Sequence, residues 1–137
     1  MSISASQVVL QFTGTDNVLH TLQCDLDDVD YGGTSSITKK ETFCAVTKVK
    51  GNPDIAISVT GIYTDDPDGA WDIFYDLWHE TDQTRLYKFG PAGSGTGQML
   101  LSGESYLTEY HIKETAGGDV SISAKFEVDG NDVRSTW

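Results

Sequence analysis

Asp66-Pro67-Asp68-Gly69-Ala70-Trp71-Asp72-Ile73-Phe74-Tyr75-Asp76-Leu77-Trp78-His79-Glu80-Thr81 is the one stretch of this chain with a helical repeat, and it sets the fold. Trp71, Phe74, Tyr75 and Trp78 recur at the roughly 3.6-residue helical period, with Leu77 beside them, so one face of a helix predicted over 66–81 is aromatic. Asp72, Asp76, Glu80 and Asp82 fill the other side. Asp65, Asp66 and Asp68 offer carboxylates to the unpaired N–H groups of a first turn, and Pro67 is pre-set for it. The pattern predicts an amphipathic helix across a sheet, its aromatics in the core rather than caging a cationic ligand.

On either side of the helix the period falls to two. Ile55 to Tyr63 is a β-branched run, and Arg85 to Phe89 makes a short strand. From Asp119 to Val128 the alternation has no fault: Val120, Ile122, Ala124, Phe126 and Val128 face in, Ser121, Ser123, Lys125 and Glu127 face out. Gln98 to Lys113 is extended, with a bend expected at Ser102-Gly103. Val8, Leu10 and Phe12 share one face of a first strand, and Val18 to Leu26 reads as a second. Asp27 to Ser36, with three carboxylates, two glycines and hydroxyls, reads as a flexible excursion. Ile37 to Lys48 reads as one strand of mixed polarity on both faces, suited to contact with another subunit or to a water-filled space. Asp129 to Asp132 ends the sheet and leaves a tail to Trp137. The sum is a single domain over 1–137, mainly β, with about eight strands and one helix.

Acidic residues number 21 against 9 basic ones, a net charge of −12. This disfavours a nucleic-acid reader, whose affinity comes from Lys and Arg displacing counterions. The same charge serves plain solubility, and around a shared channel it would repel DNA passing through. Cys24 and Cys44 form no metal-binding spacing; reduced thiols are the default, with a bridge open to them if their strands pair. The N-terminus shows no export signal and no stretch is long enough to span a bilayer, so the expected setting is a cytoplasm.

No catalytic pattern stands out. Gly93, Gly95 and Gly97 lack phosphate-loop spacing and no helix follows them. No G-x-S-x-G occurs, and His20, His79 and His111 fall in unrelated elements. Asp27, Asp28 and Asp30 do not follow calcium-loop spacing, and no pair of carboxylates is singled out for glycoside cleavage. No cofactor or metal is expected.

Three stretches, Gly61 to Trp78, Tyr87 to Gly97 and Ser102 to Thr108, together resemble the tail tube (major tail) proteins of long-tailed bacteriophages. The resemblance rests on element order across nearly the whole chain. It implies a β-sandwich or half-barrel with a flanking helix, sharing strands in a hexameric β-barrel ring, and rings stacking into a tube through which double-stranded DNA passes without specific binding. It further implies a non-enzymatic virion protein assembled in the host cytoplasm that meets tape-measure, tail-terminator and baseplate-side proteins, with no membrane contact; unlike some members of that family, this chain is expected to leave no room for a C-terminal immunoglobulin-like decoration domain, which argues against a surface-binding role. Four strands from each of six copies would enclose a circle roughly 50 Å across, wide enough for a duplex. On this reading Glu41, Glu104 and Glu109 line the bore. Asp27, Asp28, Val29, Asp30 and Tyr31 form a loop that orders against the next ring, so deleting Val29 to Ser35 leaves a folded subunit that does not polymerise. The competing class is a monomeric β-sandwich module binding carbohydrate or peptide through Tyr106, Tyr110 and the Gly-rich loop, and a small hydrolase is third.

Overall fold

The structure, a computed structural model, describes residues 8–22, 26–63, 69–114, 116–118 and 120–137. Cys24, the carboxylates at 65, 66 and 68 and the N-terminal arm lie outside the described residues. Among the described residues ten strands and one helix follow in the order β1 (Val9–Thr13), β2 (Leu19–Thr21), β3 (Leu26–Thr34), β4 (Ile37–Glu41), β5 (Val46–Lys50), β6 (Asp54–Ile62), α1 (Ala70–His79), β7 (Arg85–Gly90), β8 (Met99–Glu114), β9 (Val120–Val128) and β10 (Val133–Thr136). Eight of the strands form one antiparallel sheet in the order β2-β1-β7-β8-β9-β6-β3, with β10 also on β8; β4 and β5 pair separately.

The long strand β8 makes this sheet fold over on itself. Its first part, Met99 to Ser105, pairs with β7 and β10, while Ser105 to Glu114 pairs with β9. One layer is therefore β2-β1-β7 with the start of β8; the other is the end of β8 with β9, β6 and β3. Aromatic contacts join the layers: Phe12 stacks on Phe126 at 4.2 Å, and Tyr31 on Phe89 at 5.3 Å. Leu10, Ile57, Val59, Ile122 and Ala124 complete the core between them. Such a sandwich, open at one side, is what alternating strands must form to bury their apolar faces.

α1 closes the open side. Phe74 meets Phe12 and Phe126 edge-on, and Tyr110 on β8 donates a 2.9 Å hydrogen bond to the Trp71 carbonyl. At the other end of the helix the Arg85 guanidinium grips the Glu80 carboxylate at 3.0–3.2 Å and also reaches the Asn17 side chain. The residues buried on the core side are Ala70, Ile73, Phe74 and Leu77; of the expected aromatic set Phe74 is buried, with Leu77 beside it, and Trp71 packs against the core, while Tyr75 and Trp78 do not. Trp71 is half-buried, and Tyr75 and Trp78 sit on the rim, 48% and 43% exposed. Both sets obey the helical period. Ala70 and Ile73 let the helix approach closely, whereas rings with polar edges fit a partly wet margin.

Several segments differ from the sequence reading. The expected flexible excursion is strand β3, paired with β6 from Leu26↔Gly61 to Thr34↔Asp54. Val29 and Tyr31 pack on the core while Asp28, Asp30 and Gly32 point outward; the carboxylates that suggested a loop are the polar half of a two-residue alternation. Deleting Val29 to Ser35 therefore removes core contacts, and a folded subunit is no longer the expected outcome. Ile37 to Lys48 is not one strand but most of a hairpin, turning at 42–45, where the Thr42 hydroxyl accepts from the Ala45 N–H at 3.1 Å. β8 slips register at Leu107/Glu109 rather than at Gly103. The tail forms β10, and Trp137 is anchored by its N–H to the Gln98 carbonyl at 3.0 Å.

Candidate assembly surface

Three features of the surface bear on what the chain does: a polar wall, two unpaired strand edges and a projecting arm. The wall is the outward face of β8-β9-β6-β3. Pairing aligns Asp30, Ser58, Lys125 and Glu109 in one row, and Asp28, Thr60, Ser123 and His111 in another. Glu127 and Tyr106 stand opposite each other on the same face. Lys125 pairs with Glu127 at 3.4 Å, and the Thr60 hydroxyl donates to Asp27 at 3.1 Å. The wall is hydroxyl-rich and predominantly acidic, with no apolar patch among these rows.

Both ends of the wall are open. Among the described residues β3 pairs only with β6, and β8 beyond Ser105 pairs only with β9. Unpaired N–H and C=O groups along such edges are templates for another strand.

The arm is β4 and β5. It continues the β3–β6 ladder past Thr34↔Asp54, with the Gly51 N–H on the Ser36 carbonyl at 2.8 Å and Ile37 opposite Lys50. Gly33 permits the crossing at its base, since a Cβ there would lie 1.9 Å from the Asp54 carbonyl oxygen. Every residue from 36 to 54 is exposed. Phe43 and Cys44 stand free at the tip, and Ile37, Val46 and Val49 are also exposed.

The glutamates expected to line one bore are dispersed: Glu109 lies on the wall, Glu104 pairs with Leu86 on the outside of the other layer, and Glu41 is on the arm beside Lys39 at 2.7 Å. Of the segment expected to meet another ring, Val29 and Tyr31 point into the core and Asp28 and Asp30 onto the wall. Tyr31 donates to Asp132 Oδ2 at 2.7 Å and has one hydrogen to give, so Tyr87 donates to Tyr31 across their 2.7 Å contact. Burial, then these bonds, push the Tyr31 phenol far up; burial also raises Tyr87 and Tyr110. This cluster ties the two layers together.

The ligand face of a binding module is not assembled. Tyr110 is buried under the helix, while Tyr106 is exposed on the wall. The Gly-rich loop lies against the chain's end: the Gly97 N–H reaches the Trp137 carbonyl at 3.3 Å, and a Cβ on Gly90 would meet the Trp137 ring at 2.8 Å. The histidines also stay apart. His20 contacts Asp16 at 3.0 Å, His79 touches Tyr75, and His111 is on the wall. The Val18 N–H, then His20, hold Asp16 below the ordinary carboxylate range. Among the described residues no group of three or more His, Cys, Asp or Glu is placed to hold a metal, and no helix is long and apolar enough to cross a membrane.

No protein-family model and no curated protein matches the sequence. Solved structures do match in fold. A chain from the tail of the empty gene transfer agent particle, solved by helical refinement with C6 symmetry, is 14% identical over 98% of this chain and 100% of its own, with a TM-score of 0.71. The SPP1 tail tube chain is 12% identical over 99% of this chain and 80% of its own, TM-score 0.72. A chain of the sheath–tube complex of the PVC extracellular contractile injection system is 9% identical, covering 99% and 93%, TM-score 0.69. From end to end, this chain has the fold shared by phage-like tail tubes and contractile injection systems.

Proposed function

We propose that this chain is the structural subunit of a tail tube, forming rings that stack around a conduit for DNA. The observation that carries the reading is the four-strand wall with both edges open. Its strands alternate in direction, so β8 and β3 run opposite ways. Rotation about a ring axis keeps each strand's sense, so β3 of one copy meets β8 of the next antiparallel, and the pattern continues unbroken around the ring. Closure removes both edges. Six copies are supported by the C6 symmetry of the gene transfer agent tail. With the wall turned inward, its hydroxyls and carboxylates present nothing that rewards contact with phosphate. Asp28, Asp30, Glu109 and Glu127 then line the bore, and the exposed edge of β3 makes contacts within the ring. The other layer and α1 face outward, where partners of a tail's sheath, ends or baseplate would be met. The role is architectural rather than catalytic, and assembly in a host cytoplasm into a virion tail follows from it.

The test is size-exclusion chromatography with negative-stain imaging of concentrated protein. Rings of six with an open centre are expected. Prolines placed singly along 106–114 at N–H groups pointing away from β9 should leave a folded monomer that no longer closes rings. A protein that stays monomeric when concentrated and crowded overturns the reading.

A further inference from the structure

The two open edges of the wall complement each other in charge, in apolar surface and in backbone phase. On the wall face, the β8 edge carries Glu109, His111 and Lys113, and the β3 edge carries Asp28 and Asp30. Among the described residues none of Lys113, Asp28 and Asp30 makes an ion pair. On the opposite face Ile112 is 47% exposed at the β8 edge, while Val29 and Tyr31 stand at the β3 edge. The Tyr63 N–H reaches the Val120 carbonyl at 2.9 Å, so β6 and β9 bond each other through core-facing residues and their outer neighbours through wall-facing ones. The backbone groups left over belong to Val29, Tyr31 and Gly33 on β3 and to Tyr110, Ile112 and Glu114 on β8.

Closing the wall into a ring fixes how far these edges slide past each other. In a barrel of about 24 strands tilted about 35–45°, the stagger accumulated around the ring is roughly 24–35 residues, or about four to six per copy. An odd stagger would set wall-facing side chains against core-facing ones, so the choices are about four or six. Chirality gives the direction. For L residues on an upward strand with side chains toward the viewer, N–H and C=O point right, and Glu109, His111 and Lys113 point theirs at β9. Seen from the bore, β9, β6 and β3 thus lie to the right of an upward β8. With right-handed strand twist, a row leaving Glu109 through Lys125, Ser58 and Asp30 climbs and meets the next β8 beyond Glu109, toward Glu114.

We propose that β3 of one copy pairs with β8 of the next at a stagger of about four residues, with Asp30 opposite Lys113 and Tyr31 opposite Ile112. This rests on the ring reading above and adds the register to it. Asp30 and Lys113 then form a non-hydrogen-bonded pair, the closest kind across a sheet, with Asp28 diagonal to the same ammonium. Thr34 lies opposite Glu109, so no two carboxylates are directly opposed on these stretches. Ile112 exchanges water for the Tyr31 ring, an aromatic and β-branched pair. Gly33 falls opposite Tyr110, whose ring lies under α1, and brings no side chain that the helix would exclude. Other staggers lose these matches. None at all sets Asp30 against Glu109, two sets Tyr31 against the covered Tyr110, and six sets Lys113 against Gly32 and Tyr31 against Glu114.

Disulfide trapping reads the register directly. In a Cys24→Ser, Cys44→Ser background, Asp30→Cys is combined in turn with Lys113→Cys, His111→Cys and Glu109→Cys. Within one copy these positions lie at opposite edges of the wall, about 14 Å apart or more, so oxidation links only different copies. The Lys113→Cys combination should give covalent ladders with about tenfold more cross-link than either of the others. A comparator that links as well or better, or no ladder from any combination although the wild type makes rings, overturns the register. Wild-type protein that makes no rings sinks the ring reading instead. Charge exchange tests the same contact without cysteines. Lys113→Glu should lower the yield of rings about tenfold or more at ~0.1 M salt, and adding Asp30→Lys should restore it. Normal rings from Lys113→Glu alone, or no rescue by the exchange, also overturn the register.

Discussion

The sandwich and the arm are stretches of one continuous ladder, and they part at Thr34↔Asp54. On one side β6 alternates buried with exposed and β3 sets half-buried residues on the core; on the other no residue of β4 or β5 is buried. Backbone pairing is the same in both. The difference is apolar burial, which stabilises a strand within the monomer, whereas an isolated two-stranded hairpin is marginal in water. Among the described residues the sandwich packs within one copy, and every residue of the arm is exposed.

The largest effect that would sharpen this contrast is Phe126→Ala. Phe126 stacks on Phe12 and meets Phe74 at the centre of the sandwich, so its truncation should cost about 3–5 kcal/mol in urea unfolding. Next comes Tyr31→Phe, which takes a hydrogen-bond partner from Tyr87 and Asp132 between the layers. A loss of about 1–3 kcal/mol is expected, and a silent substitution would break the claim that this cluster ties the layers.

Alkali probes this cluster and, separately, Tyr110 beneath the helix. Tyr31, Tyr87 and Tyr110 are raised above the value of 10.0 for an exposed phenol, so their contribution is whole below that pH and is lost as pH climbs through their folded values. Absorbance titration should show three of the six tyrosines ionising late and together with unfolding. In the dispersed subunit trypsin should cut first at Lys39, Lys40, Lys48 or Lys50, and assembly should slow those cuts. The smallest effect is Phe43→Ala, within about 0.5 kcal/mol of wild type for the monomer. A cost comparable with that of Phe126→Ala would mean the arm packs on its own body.

The sequence was legible where alternation was clean and one-sided. β9 and β6 followed from their period-two patterns, and the existence of α1 from its period of 3.6. β3 was hidden because its outward half is aspartate and glycine, residues that also mark turns. Which helix face is buried was ambiguous because Ala70, Ile73 and Leu77 and the set Trp71, Tyr75 and Trp78 both recur with helical spacing. The candidate surface was less legible still: Glu41, Glu104 and Glu109 all looked alike as polar positions on strands, and only the pairing registers separate arm, outer layer and wall.

By itself the sequence determined the class of fold and the acid excess, because periodicity and charge are local properties that each segment carries with it. Only the tertiary structure decided that the sheet doubles back along β8, that among the described residues two edges of one layer stay open, and that β4 and β5 project from the body. Those outcomes depend on which strands meet across long stretches of chain, and on apolar area that has a partner in one place and none in another.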